Sequence, residues 1–210
     1  RLTSIAGLPA ATRAAERVDV YHNALVGLPD LRHWRRLLRL DLSHNRLTDV
    51  RELAALPRLE ALTATHNRLA SLRLVGCGAL VSVDVSHNVL VRIRGDTFTL
   101  PRLAVVRLAG NALPALPPEV ARASALTTLD VGGNRLTALP PSLGADNPAL
   151  THLDAGHNRL RFPLPLPFSR LPVEYLDVRG NPSLMAVAGS LRGRSSVELA
   201  CALVGSPVSD

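Results

Sequence analysis

Asparagine recurs down this chain at Asn23, Asn45, Asn67, Asn88, Asn111, Asn134, Asn158 and Asn181, in steps of 22, 22, 21, 23, 23, 24 and 23 residues. Around each lies the frame L-x-x-L-x-L-x-x-N-x-L or a close variant. It is clean at Leu37, Leu40, Leu42, Asn45 and Leu47, and again at Leu126, Leu129, Val131, Asn134 and Leu136. A fixed period of this length means stacked, near-equivalent coils. No coil can bury its apolar face alone, so stability must come from neighbours.

The frame states its own local chemistry. In the L-x-L core alternate side chains point to opposite faces, so Leu40 and Leu42 go inward while Asp41 looks out. The asparagine then turns the chain away from the strand, since a carboxamide offers two donors and an acceptor to backbone groups. Leu47, Val50, Leu53 and Leu56 downstream fill the interior of the second coil.

On these residues the chain resembles the leucine-rich repeat family over nearly its whole length. The resemblance implies an α/β solenoid with a curved, parallel β-sheet on the concave face and an irregular, 3-10 or extended convex face. It also implies that the eight asparagines form a buried ladder. The expected organisation is a single solenoid of about eight repeats over residues 1–210. Coils with short steps, as in N-R-L-T-D-V-R-E-L-A-A-L from Asn45, are similar to those of intracellular phosphatase-regulator proteins. Later coils carry proline, as in L-P-A-L-P-P-E-V at 113–120 and L-T-A-L-P-P-S-L at 136–143. They resemble the L-x-x-L-P-x-x-L repeat of intracellular scaffold and Ras-pathway proteins. Proline lacks an N–H and fixes φ, so these segments are expected to be extended or turn-like, not α-helical. The stretch at 161–172 places prolines 163, 165 and 167 two apart, which reads as convex wall and not as a P-x-x-P ligand.

Arg1-Leu2-Thr3 matches the segment that follows Asn45 or Asn134, so residues 1–14 read as the remnant of an interrupted upstream repeat. Residues 183–210 read as a closing segment and tail. No apolar stretch approaches the 18 or so residues of a membrane span. All 24 basic residues are arginine, a skew that a GC-rich genome produces, so the net charge of +7 overstates selection for anion binding. The two cysteines, Cys77 and Cys201, make no cysteine-rich cap, and Cys77 falls at the coil position held by Trp34 and Leu56, in the core. An intracellular location, cytoplasmic or cytoskeleton-associated, is expected.

A chain without lysine supplies no Walker A, kinase β3 or Schiff-base lysine. H-E-x-x-H, C-x-x-C and G-x-S-x-G are absent too. Catalysis is not expected, no cofactor is implied, and the candidates are surfaces. Between the paired strand hydrophobics the outward residue runs Asp19, Asp41, Thr63, Asp84, Arg107, Asp130, Asp154, Asp177. Much of this is consensus filling, and Arg107 is the informative departure. One residue before each asparagine runs His22, His44, His66, His87, Gly110, Gly133, His157, Gly180. A straight ladder of imidazoles is poor tetrahedral geometry, so the expectation is an edge that packs on itself and not a metal site.

A basic cluster, R-H-W-R-R-L-L-R at 32–39, puts Trp34 in the core and Arg36, with Arg58 and Arg102, along one edge. Arg17 and Arg39 share the concave side near Tyr21. The candidate partner-binding residues are therefore Arg17, Tyr21, Arg39, Asp41, Asp84, Arg107, Asp130, Asp154, Tyr175 and Arg179. The leading functional expectation is a scaffold or adaptor module that binds a protein partner, one with an acidic segment, on its concave face, within a longer protein or larger assembly. The alternative is the regulatory repeat region of a multidomain signalling enzyme (phosphatase, cyclase or kinase). Third comes a basic anion- or nucleic-acid-binding surface, disfavoured because three Phe, two Tyr and one Trp offer few stacking platforms.

Overall fold

The computed structural model describes residues 1–5, 14–144, 146–161 and 174–181. The proline-dense stretch at 162–172, Leu8, Cys201 and the closing segment at 183–210 lie outside the described residues.

Each L-x-L core forms a three-residue strand: β1 (Arg17–Asp19), β2 (Arg39–Asp41), β3 (Ala61–Thr63), β5 (Ser82–Asp84), β7 (Val105–Arg107), β8 (Thr128–Asp130), β9 (His152–Asp154) and β10 (Tyr175–Asp177). They pair in chain order into one eight-stranded parallel sheet. Register is uniform: Leu40 pairs with Leu62, Leu62 with Val83, and Val83 with Val106. A smaller pair, β4 (Ser71–Leu72) and β6 (Arg92–Ile93), forms a second parallel sheet after the asparagine turn. The alternation sets which faces are wet. Leu40, Leu62, Val83, Val106, Leu129 and Leu153 are buried, and so are Leu42, Val85, Leu108 and Val131 one step on. Burying each such side chain stabilises the stack by roughly 1.5–3 kcal/mol.

The convex return is made of short pieces. Arg51–Ala55, Gly95–Thr99 and Pro118–Arg122 are single 3-10 turns, and no α-helix occurs among the described residues. The proline coils match the sequence reading: Pro117 is extended at φ −67° and ψ 144°, and the 3-10 turn starts just beyond it. Trp34 and Cys77 are in the core, as their place in the frame required. The Cys77 thiol donates to the Leu53 carbonyl at 3.3 Å, and burial pushes its pKa up to about 11.

The ladder is fully wired. The Nδ2 group of Asn67 donates to the carbonyls of Leu42, Ala64 and Thr65 at 3.0–3.2 Å, while its Oδ1 accepts the Leu47 N–H at 2.9 Å. Asn45, Asn88, Asn134 and Asn158 repeat that pattern, each reaching back to the coil before. Asn111 and Asn181 do the same, and Asn23 accepts the Leu2 N–H at 2.7 Å. Asn67 is 8% exposed and Asn134 is 7% exposed, so these bonds are out of water.

Candidate functional site

Three outward columns cover the concave sheet. The first runs Arg17, Arg39, Ala61, Ser82, Val105, Thr128, His152, Tyr175, one residue per strand in register. Bulky ends and a small-residue middle leave a hollow of about 600 Å³ beside Arg17 and Arg39, floored by Ala61 and Ser82. Glu60, Asp19 and Asp41 share its wall, so the hollow carries both signs of charge. Arg17, Arg39 and Arg107 are exposed, and among the described residues none of them forms an ion pair.

The second column is the aspartate one, and its local role is visible. Oδ1 of Asp41 accepts the Ser43 N–H at 2.8 Å, and Asp19, Asp84, Asp130, Asp154 and Asp177 likewise accept the N–H two residues on. These are Asx turns that close the strand ends. Where threonine replaces aspartate at position 63, the Thr65 N–H is taken by the Ser43 hydroxyl of the preceding coil at 3.2 Å. Burial raises the Asp130 pKa, helped by the neighbouring carboxylates of Asp154 and Asp84. Arg107 stands in register between Asp84 and Asp130 and works the other way on that group.

The third column carries Tyr21 at one end and Arg179 at the other. Tyr21 is 51% exposed and packs edge-on against His44, with ring centroids 5.1 Å apart. Arg17 and Arg39 sit on paired strands, and Tyr21 beside them packs against the histidine edge. At the far end Tyr175 is 46% exposed and lies 6.1 Å from His152, ring to ring. Arg179 clasps Asp177 at 2.6 Å. Burial acts to raise the Asp177 pKa, but hydrogen bonds from Arg179 outweigh it and the net shift is downward.

The histidine column packs on itself. His44, His66 and His87 stack with centroids 4.3 and 4.5 Å apart and planes within 19°. Among the described residues no group of histidine, cysteine or acidic side chains could hold a metal. The backbone explains the column: His22, His44, His66, His87 and His157 have φ of 52–57°, and Gly110, Gly133 and Gly180 have 62–68°. Left-handed backbone is costly for most residues and least so for glycine. The alternation of histidine with glycine was the sequence signal for it. At Gly110 a Cβ would also meet the His87 ring at 2.6 Å, so the imidazole stack ends there.

Two family models match the chain, a leucine rich repeat model over residues 15–69 and a second over residues 125–145. The chain carries leucine-rich repeats. No curated protein matches it. Among solved structures, a leucine-rich repeat protein of Leptospira interrogans aligns with TM-score 0.76 at 24% identity, covering 82% of this chain and 45% of that one. An internalin from Listeria monocytogenes aligns with TM-score 0.60 at 19% identity, over 75% of this chain and 48% of its own. The TLR13 structure, a complex with ssRNA13, aligns with TM-score 0.69 at 23% identity, over 79% and 25%. The leucine-rich repeat chain thus spans less than half the length of these structures, and the likeness is one of fold. Among its described residues no helix is long and apolar enough to cross a membrane.

Two features of this leucine-rich repeat chain lay outside the sequence reading. Asn147 is buried off the ladder, in the return turn, where its Nδ2 donates to the Val120 and Ala123 carbonyls at 3.0 and 2.9 Å. Arginines also line a groove on the return side of the second to fourth coils. Both fall at fixed offsets from the ladder asparagines, so the period that located the asparagines contained them as well.

Proposed function

We propose that the concave face binds a protein partner, making the chain an intracellular interaction module that works within a larger protein or assembly. The leucine-rich repeat fold is in general a protein–protein interaction module, and the face seen here fits that use. The observation that carries the reading is the pairing of Arg17 with Arg39 over a small-floored hollow, both guanidinium groups exposed and free of ion pairs among the described residues. An acidic side chain from the partner would enter between them and accept charge-assisted hydrogen bonds. Arg107 in the middle, and Tyr175 with Arg179 at the far end, extend the contact along the sheet. Tyrosine and arginine are over-represented among residues whose truncation costs binding about 2 kcal/mol or more. Asp41, Asp84, Asp130 and Asp154 each spend one oxygen on a strand-end turn and keep the other for donors on the partner. A sequence without lysine and with few aromatics favours protein binding over lysine-dependent catalysis and over nucleic acid.

The test is affinity capture from the source cell's extract with the wild-type chain and with Arg39→Glu and Arg107→Glu variants of unchanged melting temperature. A protein retained by the wild type and lost from both variants is expected. Retention by all three chains would place the partner on another face. Capture that is abolished by nuclease and falls steeply with salt would assign the surface to nucleic acid.

A further inference from the structure

Arg51, Arg73 and Arg94 stand six residues after Asn45, Asn67 and Asn88, so three successive coils present arginine at one position of the return side. Proline occupies the same position in the flanking coils, at Pro29, Pro117 and Pro140, which confines the column to these three. The small sheet fixes its geometry. Ser71 pairs with Arg92 and Leu72 with Ile93, which sets Arg73 and Arg94 side by side at the roughly 4.8 Å spacing of paired strands. Leu72 and Ile93 are buried, so by strand alternation Arg92 and Arg94 both point outward, and both are exposed.

The four guanidinium groups line one hollow of about 460 Å³ together with Asp49, Ala54, Ser71 and Val75. Two carboxylates answer two of the four charges. Asp49 accepts from Arg51 Nε at 2.7 Å, and Asp96 accepts from Arg73 Nε at 3.1 Å. Among the described residues Arg92 and Arg94 form no ion pair. The hollow thus holds two uncompensated cations beside two that Asp49 and Asp96 pair.

We infer that this hollow is a binding site for a small phosphate-bearing molecule. One phosphate sits between Arg92 and Arg94, and a second phosphate group reaches Arg73 along the column. A guanidinium presents a planar fork of donors that matches phosphate oxygens two at a time, and it stays charged at any physiological pH. Phosphate supplies the two negative charges that Arg92 and Arg94 lack. Ala54 and Val75 give the organic part of the ligand an apolar wall, and the volume falls in the roughly 300–1,000 Å³ range of small-molecule pockets. The site shares no lining residue with the concave-face hollow and does not depend on the partner proposed there.

Isothermal titration of the whole chain with sodium tripolyphosphate, at a constant ionic strength of about 0.15 M, tests it. Saturable binding is expected, weakened roughly tenfold or more in the Arg92→Ala/Arg94→Ala double variant and unchanged in Arg107→Ala on the concave face. Thermal melts of each variant confirm that the comparison is between folded chains. Absence of saturable tripolyphosphate binding to the wild type, or equal weakening by Arg107→Ala, would overturn the site. Tighter binding of a glutamate-rich peptide than of tripolyphosphate would overturn the phosphate assignment. Binding only to phosphatidylcholine vesicles doped with phosphatidic acid would overturn the small-molecule assignment in favour of a lipid headgroup.

Discussion

Every coil makes two turns, one leaving the strand and one returning to it, and the two obey different rules. The leaving turn carries asparagine in all eight coils. In the return turn, three residues before the first strand leucine, stand Trp34, Leu56, Cys77, Leu100, Ala123 and Asn147. Yet the return turns share one backbone bond: the N–H of Leu37, Leu59, Leu80, Leu103, Leu126 and Leu150 each donates to the carbonyl three residues back, at 2.9–3.3 Å. A turn that the backbone closes for itself leaves the side chain free to vary. In the leaving turn the backbone cannot pair its own groups, and one side chain has to do so each time. Variation follows the hydrogen-bond accounting and not the depth of burial, since both positions are inside.

The largest effect expected from this contrast is at Asn67. Its replacement by alanine strands the Leu47 N–H in the interior and takes from the Leu42, Ala64 and Thr65 carbonyls one of the two donors each has, and urea denaturation should register a loss of about 3 kcal/mol, the upper end for unpaired buried groups. A loss no greater than that of a surface substitution would break the distinction between the turns. Asn147 is the return turn that behaves like a leaving one, because its amide serves Val120, Ala123 and the Gly144 N–H. Asn147→Ala is expected to cost about 2 kcal/mol, against about 1 kcal/mol for Cys77→Ala, which forfeits a small buried group and a weak donor. Equal costs at 77 and 147 would show that packing, and not polar satisfaction, rules this turn.

Gly110→Ala should cost roughly 1–2 kcal/mol for left-handed backbone alone, and the His87 ring must also shift. A free swap there, read from the same denaturation curves, would mean that the turn can change its conformation. Smaller still is the pH response of the stack. Burial, then the charges of His44 and His87, holds the His66 pKa below its ordinary value. The unfolded chain therefore takes up a proton first, and stability is full above about pH 6.5 and declines as pH falls through that value. The melting temperature should drop between pH 7.5 and 5.5, and less so in His66→Asn, which tolerates the same φ. Arg68→Ala, exposed beside the ladder, should stay within about 0.5 kcal/mol of the wild type.

The strands, the core and the ladder were readable from spacing because each is tied to a fixed offset in the period. Leu40, Leu42 and Asn45 needed no more than alternation and a carboxamide's donor count. The strand-end role of the aspartates was harder to see. Asp41 points outward as alternation requires, but its bond to the Ser43 N–H depends on backbone direction, which the pattern does not carry. His44 and Gly110 occupy one column for a reason the sequence held in plain view, a shared positive φ. The arginine groove was missed because Arg73 and Arg94 converge only when coils of 21 and 22 residues are laid in register. Nothing in the sequence separates a guanidinium that faces solvent from one that faces another guanidinium.

The ladder also has a direction in time. Each asparagine bonds backward, so Leu47, for instance, finds its acceptor only when Asn67 arrives 20 residues later. At a synthesis rate of about 5–20 residues per second, a coil leaving the ribosome waits roughly one to four seconds for the amide that closes it. The growing end of this protein is always one coil short of native, and the apolar edge of that coil is what a chaperone would meet.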